Sequence, residues 1–146
     1  MKMPIESRVD APGDIAGRYP ALWAAIVLRP RLWRVLWCVL AAVTSVLYLL
    51  PNAGPPGQYQ LDKVAHLIAF GSIGFSSLLA SSRIRPSAPL LVSLVLAMIL
   101  EWLQSYVPGR EYSVFDWIAN LIGLALGMAA ALFVRALAAR LFDHAA

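Results

Sequence analysis

The sequence predicts an all-α membrane protein: four transmembrane helices in two hairpins, with both termini cytoplasmic. Three observations lead there. Hydrophobic residues make up 60% of the chain and charged residues 14%, whereas a soluble domain carries about a quarter charged residues. Four apolar segments approach the ~20 residues a helix needs to cross the hydrocarbon core. The basic residues fall almost entirely on one side of such a four-span arrangement, which is then the cytoplasmic side.

The elements follow in order. The first 18 residues are polar, with Pro and Gly, and read as a loose end. Residues 19–28 are apolar but too short to cross, so they read as an interfacial helix or a docked arm, with Trp23 near the headgroups. No cleavable signal sequence is evident, and the first long apolar run, residues 32–50, reads as an uncleaved span. Residues 51–57, rich in Pro and Gly, cannot continue it. The second span covers residues 61–81, where Gly71, Ser72, Gly74, Ser76 and Ser77 suit close helix contact better than lipid contact. The third covers residues 88–107 and begins near Pro86 and Pro89, as a first helical turn tolerates. The fourth covers residues 114–134. Residues 1–31 thus form a cytoplasmic arm, 32–134 a single membrane domain and 135–146 a cytoplasmic tail.

Charge supports four spans. Lys2, Arg8, Arg18, Arg29, Arg31, Arg34, Arg83, Arg85, Arg135 and Arg140 fall on one side, and only Lys63 and Arg110 on the other. The net charge of +4 therefore reports orientation and gives no reason to expect nucleic acid. The lone Cys38 excludes an intrachain disulfide and a thiolate metal site.

The polar residues that interrupt these spans all fall in the outer half of the membrane. Glu101 and Gln104 share one face of the third helix. With that helix ending at residue 107, Glu101 sits about 9 Å deep at 1.5 Å per residue. Ionisable groups at such depth are functional candidates. Glu101 is either an acid, base or ligand-gripping group, or a paired carboxylate that locks the bundle. Asp62 precedes the second helix and can cap it, while His66, one turn on, is a hydrogen-bonded structural residue or a titrating one. Lys63 lies at the interface, placed to snorkel or to pair with Asp116 or Glu101.

Ser113-Val-Phe-Asp116 is patterned as a capping box with Asp in place of Glu. Asn120, Gly123 and Gly127 continue the face of Asp116, and the Gly pair admits a close neighbour. Pro108-Gly109 reverses the chain. Arg110 follows, either engaging an anion such as phosphate beside the fourth helix's N-terminus or pairing with Glu111 or Asp116. Trp102, Tyr106, Tyr112 and Trp117 form an aromatic belt on the outer side, and Trp33 and Trp37 one on the inner side. A short pseudo-repeat links the second and fourth helices: Asp62/His66 and Asp116/Asn120, each followed by glycines.

No HExxH, GxSxG, Walker loop or CxxC is present. The ligands for a metal would be Asp62, His66, Glu101 and Asp116. One His among carboxylates is thin for zinc, so no metal and no cofactor are expected.

The spaced set Asp62-Lys63-x-x-His66-x-x-x-Phe70, Glu101-x-x-Gln104-x-x-x-Pro108-Gly109-Arg110 and Asp116-x-x-x-Asn120-x-x-Gly123-x-x-x-Gly127 resembles the VanZ-like family over about residues 61–134. The family consists of small multi-spanning bacterial membrane proteins. It is named for an accessory protein of glycopeptide-resistance gene clusters associated with teicoplanin resistance. The resemblance implies the bacterial inner membrane and an envelope role, and no particular mechanism.

The expected function is binding. An outer-leaflet pocket of Asp62, Lys63, His66, Glu101, Gln104, Arg110, Asp116 and Asn120 contacts a lipid-linked cell-wall precursor or a lipoglycopeptide. The basic pair holds anionic groups, and the two amides supply hydrogen bonds. One alternative is an envelope hydrolase or transferase with Glu101 or His66 as the catalytic acid or base and Arg110 as anion clamp. Another is a scaffold in which the polar set only locks helices. Ion conduction is disfavoured, because the inner half offers no continuing polar path.

Overall fold

The computed structural model describes residues 22, 23, 25–51, 59–81, 87–110 and 112–143. Among them are four long helices and no strand: α1 (Pro30–Leu49), α2 (Tyr59–Ala80), α3 (Ser87–Gln104) and α4 (Val114–Asp143). Three of these are long and apolar enough to cross a membrane, and residues Ala88–Gln104 of α3 form a shorter apolar helix. The bundle is inside-out in composition. Val35, Val39, Leu91, Met98, Leu126 and Phe133 are among many large apolar side chains left exposed, while His66, Glu101, Gln104 and Asn120 are buried. This is a membrane protein's distribution.

The helix limits correct four expectations. Pro30 opens α1, two residues early, because a first-turn Pro loses no helical hydrogen bond. Tyr59 opens α2, so Asp62 stands inside its first turn and is not an N-cap. Three residues short of the expected end, α3 stops at Gln104. There the chain tightens into successive i→i+3 bonds, from Ser105 N to Trp102 O, Tyr106 N to Leu103 O and Val107 N to Gln104 O. Nine residues past Val134, α4 ends at Asp143. The alanines at 136, 138 and 139 favour helix, and Ala138 is fully buried.

The centre of the bundle is the α2–α4 pair. Lys63 meets Asp116, His66 meets Asn120, and Gly71 meets Gly127, so the two helices run parallel. Their backbones nearly touch. A Cβ built on Gly123 would stand 2.5 Å from Leu67 O, and one on Gly74 2.5 Å from Leu124 O. Small residues allow this approach, and van der Waals packing then holds the helices. Serines 72, 76 and 77 return their hydroxyls to carbonyls of their own helix and leave no orphan donor in the seam.

The other two helices are tied on by polar contacts. Trp37 Nε1 on α1 donates to Ser93 Oγ on α3 at 2.9 Å. Arg34 Nε donates to Ala80 O at 3.2 Å, meeting an open carbonyl where the α2 dipole is negative. The described part of the N-terminal arm is docked: Val27 is buried with Leu78, Leu79, Ala131 and Ala138, and Ile26 O accepts from Trp33 Nε1. The expected loose end at residues 1–18 lies outside the described residues.

Candidate functional site

The alternating helix directions bring the C-terminal ends of α1 and α3 to the same end of the bundle as the N-terminal ends of α2 and α4. Asp62 and Asp116 lie in the first turns of α2 and α4, where carboxylates complement the helix dipoles. Glu101 and Gln104 lie in the last turn of α3. Because α3 ends at Gln104, Glu101 is three residues from its end, about 4.5 Å along the axis.

Asn120 is the hub. Its Oδ1 accepts from the Tyr48 hydroxyl at 3.1 Å and lies 3.0 Å from His66 Nδ1. Tyr48 also lays its ring over His66, with centroids 4.6 Å apart, and its carbonyl accepts from Gln104 Nε2 at 3.3 Å. That carbonyl is one of the open ones in the last turn of α1. Gln104 thus serves helix α1 and is not simply a free donor for a ligand. Tyr48 was absent from the expected site. Its only trace in the sequence is a phenol near the C-terminal end of an apolar span.

Around the hub, His66 Nε2 faces Asp62 Oδ1 at 3.6 Å, and Nδ1 faces Glu101 Oε2 at 3.8 Å. Lys63 Nζ pairs with Asp116 Oδ1 at 3.4 Å. Of the two expected partners of Lys63, Asp116 is the one met. Among the described residues, Asp62, His66 and Asp116 offer ligand atoms that all lie within 4.8 Å of one another, a spacing open to a metal ion, and Glu101, the fourth expected ligand, is not in that group.

The capping box is divided between two helices. Ser113 Oγ accepts from Asp116 N at 3.3 Å, as expected of an N-cap. The reciprocal bond is different: Ser113 N donates to Glu101 Oε1, also at 3.3 Å. Glu101 therefore takes the part expected of Asp116, and the Asp116 carboxylate is released toward Lys63. Ser113→Ala is expected to destabilise the protein by about 1 kcal/mol, read by thermal unfolding in detergent. It should also loosen Asp116 against Lys63.

Arg110 follows a turn in which its N–H donates to Val107 O and Gly109 takes φ 80°, a left-handed conformation that suits glycine. Arg110 is half-buried, and its charge acts on Tyr48, His66 and Glu101. Among the described residues it makes no ion pair within 4.0 Å, so the expected bond to Asp116 is not formed. Glu111 lies outside the described residues.

Seven of the eight expected residues therefore form one contiguous cluster, with Arg110 at its edge. Asp62, Lys63 and Arg110 are the open side, and the rest is closed. Among the described residues, three buried side-chain atoms make no hydrogen bond: Glu101 Oε2, Asp116 Oδ1 and Asn120 Nδ2. Two apolar grooves lie elsewhere. One, of about 560 Å³, runs between α1, α2 and α4 past Trp33, Leu40, Phe75 and Gly127, and the other lies beside Leu49 and Pro51. Neither is lined by the polar set, which is a packed cluster whose half-buried members are Asp62, Lys63 and Arg110.

A family model described as VanZ/LLP1 matches residues 19–135. No curated protein and no solved structure matches the chain.

Proposed function

The chain belongs to the VanZ/LLP1 family, and from that membership we propose a four-span protein of the bacterial inner membrane, termini cytoplasmic, whose polar cluster engages an envelope component at the outer surface. The ligand class is the polar headgroup of a lipid-linked cell-wall precursor or a lipoglycopeptide. The observation that carries this reading is the set of unsatisfied buried atoms, Glu101 Oε2 and Asn120 Nδ2, behind a rim that holds Arg110. A buried polar atom without a partner is costly, so it favours a ligand that supplies the missing bond. Arg110 and Lys63 would take the anionic part of the headgroup.

Glu101→Gln or Arg110→Ala is expected to weaken a glycopeptide-susceptibility phenotype in cells that depend on the protein. Membrane abundance, measured by quantitative blotting, should not fall. Loss only in proportion to abundance would return the cluster to a purely helix-locking role.

A catalytic reading has one observation in its favour: an imidazole lies within 4 Å of two carboxylates, which is acid–base geometry. It requires turnover of a purified lipid-linked substrate and a pH profile that changes in Glu101→Gln.

A further inference from the structure

We propose that Asp62, His66 and Asp116 bind one divalent transition-metal ion of the zinc class at the polar end of the bundle. The orientation of His66 is the first ground. Asn120 Oδ1 already accepts from the Tyr48 hydroxyl and lies 3.0 Å from His66 Nδ1. An oxygen in that position needs a hydrogen on Nδ1, so the neutral ring carries its lone pair on Nε2. A metal-binding histidine is held in this way: one ring nitrogen donates to a fixed oxygen, and the other is bare and aimed.

The second ground is what Nε2 faces. Asp62 Oδ1 stands 3.6 Å away, and ligand atoms of Asp62, His66 and Asp116 lie within 4.8 Å of one another. Ligands bound to a single zinc at about 2.0–2.2 Å stand roughly 3–4 Å apart, so small side-chain movements close the site. The third ground is the state of Asp116, which is nine-tenths buried and whose Oδ1 accepts no hydrogen bond of good geometry and faces the Lys63 ammonium at 3.4 Å, so a cation already occupies that side of the site.

A lone pair and two carboxylates that converge repel one another unless a cation lies between them. Lys63 Nζ, 3.4 Å from Asp116 Oδ1, supplies positive charge at the edge, and its side chain is 38% exposed. A metal would displace it from Asp116 toward solvent. One imidazole is a small nitrogen share for zinc, but it still favours zinc or manganese over magnesium and calcium, which prefer oxygen ligands throughout. Three protein ligands also leave a coordination position for an external group.

The test is a titration of the full chain, purified in detergent and stripped with a chelator, using zinc chloride alone against a chromophoric competitor. Saturation at one ion per chain is expected. Asp62→Asn removes one of the three ligands and should weaken binding by at least the roughly tenfold that loss of an outer-shell partner costs. Lys63→Met should tighten binding, because the ammonium competes for Asp116. The proposal is overturned by absence of saturable binding to the wild-type chain, by binding that Asp62→Asn leaves unchanged, or by binding that Lys63→Met fails to tighten. The wild-type titration depends on no variant folding. No envelope ligand is present in it, so this result and the fate of the headgroup reading are separable.

Discussion

Gly127→Ala is expected to disrupt the α2–α4 seam and destabilise the protein by about 3 kcal/mol or more, the upper range for overpacking. The sign is the informative part. In an ordinary helix the same change stabilises by about 1 kcal/mol, because Ala is the better helix former. Here the added methyl would run into the Gly71 carbonyl oxygen, with Gly71 C and Phe75 N each 2.8 Å away. These are backbone atoms of α2 and cannot rotate aside. The two helices must separate, and the contacts on either side of the seam, including His66 with Asn120, are strained with them. Gly71→Ala is the control. Its Cβ would meet Gly123 O at 3.5 Å, which is ordinary contact, and this variant should fold. Thermal unfolding in detergent and membrane abundance read both. Equal stability of the two variants would show that the close approach is not what limits the seam.

Asn120→Ala carries the second large effect. It removes the acceptor of the Tyr48 hydroxyl and the partner of His66 Nδ1 in a place where Asn120 itself is fully buried. Leaving a buried donor unpaired costs about 1–3 kcal/mol each, so a loss of roughly 3 kcal/mol is expected, again by thermal unfolding. The mechanism can be separated from simple loss of volume. Tyr48→Phe alone should destabilise by about 1 kcal/mol. In the Asn120→Ala background it should destabilise less or even stabilise, because the orphan hydroxyl is removed with its cost. Strict additivity would mean that the phenol–amide bond contributes little.

These two variants probe different parts of one device. The glycines set how near α2 and α4 come, and that distance allows His66 on α2 to reach Asn120 on α4. The polar cluster and the small-residue seam are consecutive stretches of the same parallel pair. The pseudo-repeat of Asp62/His66 and Asp116/Asn120 lies on these two helices, so the resemblance between the segments has a spatial counterpart.

Much of the site was legible in the residues. A carboxylate, an amide and a histidine in apolar helices have few tolerable positions, and all of them face the bundle. The sequence marks the Asn120–Gly123–Gly127 face as the packed one, and it is. It marks Ser113 as a cap, and it is. The features with no local signal come from other helices. Tyr48 enters from α1, and nothing local distinguishes its hydroxyl from an interfacial phenol. Glu101 takes the Ser113 N–H from across the bundle, which the local box pattern assigned to Asp116. Asp62 moved from a capping position into the first turn because α2 begins at Tyr59.

The sequence by itself determined the class of protein, the apolar helices and the set of polar residues that must be kept from lipid. Those follow from composition and from the cost of burying charge, which act residue by residue. Tertiary structure alone decided that α2 pairs with α4, that Tyr48 completes the site, and which donor meets which acceptor. The reason is physical. In a membrane, lipid-facing and helix-facing surfaces are both apolar, so hydropathy does not say which helix meets which. The choice falls to backbone fit at Gly71, Gly74, Gly123 and Gly127 and to hydrogen bonds such as His66 with Asn120, which exist only once the helices are assembled.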